Sequence, residues 1–417
     1  MSYETGFLAM RADGGGFADW DLAGTRGTED GGLELDAPAA AREVEAAPIR
    51  GDGPAATGSA RDAAGSEAAA EPFYSGGAYL VGEATSPELP ADFPFSDAVP
   101  SWNATAPEGT WIEVLLRARL AEGAEKPAGT WTRWYNLGVW AEGDAVIKRH
   151  SVAGQDDEDV AVSVDTLSLK RPADRLMMRL RLFRTDPARA GAPSPIVRGA
   201  ALAYSSPKPK GDAVQAGREP GDPSLWGRIV PGVVRTSQMA YPNGGNVWCS
   251  PVSVSMVLGY WAGAGAEGRD ERVRAAVAGV YDRVFGGHGN WSFNAAYAGA
   301  AGYEASVARF RSLARLEPCI AAGVPVVLSV SWDAEKGRPL ANAPVERSRG
   351  HLTLLIGFDE RGNPVMNEPA ASPHDEAART YARHEFEARW LEASGGTAYL
   401  IYPRAKAAEL RGARRER

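Results

Sequence analysis

The 417-residue chain changes texture once, across SSPKPKGDAVQAGREPGDP (205–223), a stretch rich in Pro, Gly and charge. Such a stretch cannot bury enough apolar surface to join a core. It therefore marks a boundary between two domains, with 206–223 as linker. The length agrees, since a single core stops growing beyond roughly 250–300 residues. Before the boundary, TWIEVLLRARL, TWTRWYNLGVWA, DRLMMRLRLF and PIVRGAALAYS are short and rich in aromatic and branched residues. Clusters of Gly, Pro, Asp and Ala separate them. That pattern predicts an all-β antiparallel sandwich over residues 1–205. Leu180 and Leu182 alternate with Arg179 and Arg181, as a half-buried strand requires. Residues 37–71 lack aromatics and periodicity and read as a flexible insertion.

Residues 224–403 read as α+β, helices first and then a sheet. One helix is expected after Cys249 and a second in DERVRAAVAGVYDRVF (270–285). A third is expected in RSLARLEPCIAAG (311–323), with Leu313, Leu316 and Ile320 apolar and Gly323 as its stop. Strands follow at PVVLSVSW (325–332), HLTLLIGF (351–358), PVMNEP (364–369) and TAYLIYP (397–403). The end of the chain, 404–417, reads as a solvated basic tail.

Net charge of −8 argues against a nucleic-acid partner. The first residues carry no basic n-region followed by an apolar stretch, and no run reaches the 18 apolar residues of a membrane helix. The sequence as written predicts a cytoplasmic protein with no membrane partner; a start upstream would allow secretion. Two cysteines, Cys249 and Cys319, build no disulfide framework. No Cys/His cluster has zinc spacing, and Gly286-Gly287 leads into no phosphate-loop lysine. No metal and no cofactor are expected.

Cys249 is the most informative residue. Pro251 stands two positions on and is favoured in a first helical turn, where its missing N–H costs nothing. That puts Cys249 at a helix start, where free N–H groups and the dipole favour a thiolate and can bind an oxyanion. Local context leaves a buried structural cysteine equally open. His351, opening one strand, and Asn367, on the next, tip the balance. A nucleophilic Cys needs a base, and the base needs a group that fixes its tautomer.

The run SQMAYPNGGNVWCSPVSVSMVLGYW, with GHLTLLIGFD and VMNEPA, resembles the papain-like cysteine peptidases of family C-39, the bacteriocin-processing type, and its stand-alone C-39-like branch. The resemblance spans about 230–403 and implies a papain-like fold. It implies Cys249 as nucleophile, His351 as base, Asn367 as its orienting partner and Gln238 as oxyanion donor. Gln238 lies eleven residues before Cys249, so the loop between must fold back; Asn243 or Asn246 could donate instead. Where the family has Cys-Gly-Pro, this chain has Cys249-Ser250-Pro251. The segment 285–303 also resembles this branch, so Trp291, Asn294 and Tyr297, with Trp248, are candidate substrate contacts; packing is their other reading. The first half resembles the β-rich region that precedes this branch's catalytic domain. Its Trp residues could stack on a glycan, although such aromatics more often fill a core.

The expected function is a cysteine peptidase or peptide amidase acting on peptide or protein substrates through an acyl-enzyme. An acyl or peptidyl transferase would share that intermediate. A non-enzymatic peptide- or glycan-binding protein is the third reading.

Overall fold

The computed structural model describes residues 3–45, 73–121, 129–186, 194–211, 214 and 219–410. The chain divides into two compact units. One comprises 9–201 with 281–293; the other comprises 1–8, 202–280 and 294–417.

The first half is β structure. Its strands are β1 (Thr5–Arg11), β2 (Asp21–Ala23), β3 (Thr25–Gly27), β4 (Leu33–Leu35), β5 (Ala41–Glu45), β6 (Gly77–Thr85), β7 (Leu89–Thr105), β8 (Thr110–Leu120), β9 (Tyr135–Trp140), β10 (Val160–Ser163), β11 (Thr166–Thr185) and β12 (Ile196–Ser205). All twelve join one hydrogen-bonded sheet, in place of the two separate sheets expected of a sandwich. The twenty-residue β11 is the reason. Its first part pairs with β10 and β7, and its later part with β8 and β6. The register shifts on either side of Ala173. Pro172 stands beside that irregularity, where a residue without an N–H is tolerated. The supposed insertion 37–71 begins inside the sheet, because β5 pairs with β6 from Ala41 to Glu45. Residues 46–71 lie outside the described residues.

Alternation along β8 and β11 buries one face. Val114, Leu116 and Ala118 are fully covered, as are Met178, Leu180 and Leu182. Trp111 stacks on Phe183 with ring centroids 4.9 Å apart. Trp102 and Trp140 pack edge-on to each other and against Phe293. These three tryptophans fill a core. Trp131 and Trp134 are half-buried, and Arg117 lies over both rings.

The stretch 281–293 belongs to this first unit, which corrects the helix expected over 270–285. The helix stops at Val280. The buried Asp282 carboxylate accepts the N–H groups of Val284, Phe285 and Ser151, so the side chain takes over donors a helix would have used.

The second unit carries an antiparallel sheet of β13 (Arg228–Ile229), β14 (Glu304–Arg309), β15 (Val326–Asp333), β16 (Arg347–Phe358), β17 (Pro364–Asn367), β18 (Ala378–Thr380) and β19 (Thr397–Tyr402). The order is β14-β19-β15-β16-β17-β18, with β13 also on β16. The helices are α1 (Cys249–Trp261), α2 (Arg269–Val280), α3 (Trp291–Ala300), α4 (Glu317–Ala321) and α5 (Arg383–Ser394). The helix expected over 311–323 is broken. Leu313–Leu316 is a 3-10 turn, and α4 restarts with Pro318 in its first turn. Ser253, in the middle of α1, donates from Oγ to the Leu352 carbonyl of β16.

The end of the expected linker is held to this unit. Glu219 takes hydrogen bonds from Arg311, Ser312 and Arg315. The buried Glu317 accepts the Asp222 N–H at 2.7 Å and the Trp226 indole N–H at 2.8 Å, and pairs with Arg383 at 2.7 Å. Of the basic tail, Arg404–Lys406 forms a 3-10 turn and Ala407–Leu410 a helical turn; 411–417 lie outside the described residues. Among the described residues no helix is long and apolar enough to cross a membrane.

Candidate active site

Cys249 is the first residue of α1, and Pro251 lies in the first turn. The residues after it, Ser250 to Val257, are buried, whereas Cys249 itself is partly exposed. Ser250 Oγ is 3.0 Å from the Tyr399 hydroxyl of β19, which ties the helix start to the sheet. The helix therefore holds a reachable sulfur on a rigid base. Cys319 is buried.

His351 sits on β16, opposite Val330 of β15, and is buried. Its Nε2 bonds a carboxylate oxygen of Glu368, and the ring also hydrogen-bonds Cys249. With Nε2 on Glu368, Nδ1 is left for the sulfur. Trp332 meets the ring edge to face, with centroids 5.4 Å apart. Burial acts to lower the His351 pKa. The Glu368 charge, with the hydrogen bonds to Cys249 and Glu368, outweighs it and raises the pKa to about 10. Glu368 moves the other way: burial would raise its pKa, but the charge and hydrogen bond of His351 bring it below the ordinary carboxylate value. The Ala370 N–H donates to Glu368 at 3.0 Å and the Tyr381 hydroxyl at 3.2 Å. Burial and Glu368 push Tyr381 far up, so it remains a donor. Every oxygen of the carboxylate is thus supported.

The partner of the His351 ring is Glu368 and not Asn367, which corrects the sequence expectation. Strand parity explains the correction. Asn367 pairs across from Leu354, and residues directly opposite share a face. His351 and Thr353 lie on the other face, since successive side chains alternate. Glu368, one residue on, reaches that face and also bonds Thr353. Asn367 is fully buried, and among the described residues neither polar atom of its amide meets a partner. The signal was available: only one of two adjacent strand residues can face His351, and the Glu was the titratable one.

Gln238 begins a 3-10 turn, Gln238–Ala240, and is buried. Its N–H donates to the Pro369 carbonyl at 2.8 Å, next to Glu368. The ten residues between Gln238 and Cys249 fold back through a second 3-10 turn, Gly245–Val247. Tyr241 donates to Gln238 O, and Gly245 to Tyr241 O. Gly245 permits this, because a Cβ there would lie 2.1 Å from the Gln238 carbonyl oxygen. Gln238 Oε1 has no partner among the described residues. Asn243 and Asn246 are exposed on the loop.

The candidate substrate contacts fall on different elements. Trp248 precedes α1 and packs near Tyr241, with centroids 5.8 Å apart. Tyr297 lies against Gly279, where a Cβ would come within 2.4 Å of its ring, so it serves the packing of α3 on α2. Asn294 is fully buried on α3. Trp291 falls in the stretch grouped with the first unit. Among the described residues no cluster of three or more His, Cys, Asp or Glu could hold a metal ion.

The α+β unit thus sets a partly exposed Cys at a helix start against a His held by a buried carboxylate. Residues 230–398 match the Peptidase_C39 like family, and residues 10–205 match the Peptidase C39 N-terminal domain. Between them the two matches, to the C39-like peptidase family and to its N-terminal domain, take in most of the chain. A solved structure described as a C39-like peptidase from Bacillus anthracis is 15% identical, with a TM-score of 0.30; the match covers 42% of this chain and 98% of that one. Among curated proteins, none matches the chain.

Proposed function

We propose that the chain is a cysteine peptidase hydrolysing a peptide bond through Cys249, His351 and Glu368. The observation that carries this is the His351 ring, hydrogen-bonded on one side to Cys249 and on the other to the buried Glu368. Cys249 attacks the carbonyl carbon and forms the acyl-enzyme. His351 receives the thiol proton and delivers it to the leaving amine, then takes a proton from the water that attacks the thioester and returns it to the Cys249 sulfur as the C–S bond breaks. Glu368 keeps Nδ1 aimed at the sulfur and stabilises the imidazolium. The Gln238 side-chain Nε2–H, on a segment held beside Glu368, and the Cys249 N–H are the proposed donors to the oxyanion. The N-terminal β region is assigned no part in the chemistry.

The test is peptide turnover with product masses, on the native chain and on Cys249→Ala. Products differing from substrate by one water, made only by the native chain, support the reading. Turnover that survives Cys249→Ala contradicts it.

A further inference from the structure

The loop from Glu368 to Ala377 touches both halves of the site. It is closed by the Glu368 N–H donating to the Ala377 carbonyl at 2.7 Å. The Glu368 side chain holds His351. Pro369 O accepts the Gln238 N–H at 2.8 Å, and His374 Nδ1 accepts the Ser237 N–H, also at 2.8 Å. Both backbone donors of the Ser237-Gln238 pair therefore end on one loop. A backbone N–H can only donate, so the Nδ1 that receives it must carry no proton. Neutral His374 can hold the segment; the imidazolium, a donor at both nitrogens, cannot.

We infer that His374 is a positioning residue, which fixes Gln238 for oxyanion stabilisation through its neutral Nδ1 and lets the segment go when it is protonated. This rests on the peptidase reading above. The charged groups around His374 are Arg269 and Asp270 at the start of α2, its neighbour Asp375, and Arg235, whose guanidinium donates to the Asp375 carbonyl at 3.2 Å. Burial lowers the His374 pKa and Arg269 lowers it further, while Asp270 and Asp375 oppose them. The outcome lies below the ordinary value of 6.5, so the holding form prevails at neutral pH.

The test compares kcat and KM against pH for the full-length native chain, His374→Ala and His374→Asn, on a mixed pool of quenched-fluorescent peptides. The Asn amide oxygen can replace Nδ1 as acceptor and has no proton to gain in this range. His374→Ala should lose on the order of tenfold in kcat with little change in KM, as misplacing a transition-state donor does. His374→Asn should keep most of kcat and show an acid limb displaced to lower pH. An Ala variant with native kcat per folded molecule, or an Asn variant whose acid limb matches the native one, overturns the proposal; the second holds even where the Ala variant does not fold. Cys249→Ala and Gln238→Ala in the same assay separate the two claims. If either stays fully active, the underlying reading fails; if both lose activity and the His374 variants do not, only the positioning role fails.

Discussion

Asn367 and Glu368, neighbours in the chain, face opposite sides of the second sheet. Asn367 pairs across from Leu354, whereas Glu368 reaches the side of Thr353 and His351. One residue of register decides which side chain can meet the His351 ring.

Substitution at these two positions should therefore separate cleanly. Glu368→Ala leaves His351 unoriented and is expected to lower kcat by about 10²-fold or more, in line with loss of a group that fixes the base. Asn367→Ala removes an amide with no partner among the described residues and should leave kcat within about twofold, its cost limited to packing. Steady-state kinetics of both variants check this. The reverse ranking would return the orienting role to Asn367.

The pH profile follows from the charge on the pair. With His351 raised to about 10, the imidazolium persists well into alkaline solution, and the basic limb of kcat/KM should lie near there. In Glu368→Gln the carboxylate charge is gone and burial, the largest influence on His351, lowers its pKa, so the basic limb should move to lower pH. Folding stability should follow the same sign. A pKa raised on folding contributes stability that is fully present below about 6.5 and is lost as pH rises through about 10. Melting temperatures of the native chain across pH 6 to 10 should fall more steeply than those of Glu368→Gln.

Glu317 clasps the entry to the second unit through the Asp222 N–H, the Trp226 indole and Arg383. Glu317→Ala strands a largely buried guanidinium and should cost about 3–5 kcal/mol. Limited proteolysis of the native chain should spare 219–226, and Glu317→Ala should open a cleavage site there. Equal cleavage in both would show that the clasp holds nothing.

Much of this was legible in the sequence. Pro251 placed Cys249 at a helix start, and His351 stood at the head of an apolar strand. What escaped were tertiary choices. Asp282 ends α2 by capturing N–H groups that the pattern had given to the helix. β11 crosses from one set of partners to another at Ala173, so the β half is one sheet where local alternation could not distinguish one from two. α5 was detectable, since Phe386 and Trp390 are four apart and Gly395 follows with φ +65°. Strand parity between β16 and β17 also singles out Glu368, since Asn367 lies across from Leu354.

The central claim is that Cys249, activated by His351, is the nucleophile. Its most direct measurement is mass mapping after brief exposure to a thiol-directed peptidyl electrophile near neutral pH, on the native chain and on His351→Ala. The predicted result is one adduct, on Cys249, formed much more slowly in His351→Ala, with the buried Cys319 unmodified. An adduct on Cys319, or labelling of Cys249 at an undiminished rate without His351, would contradict it.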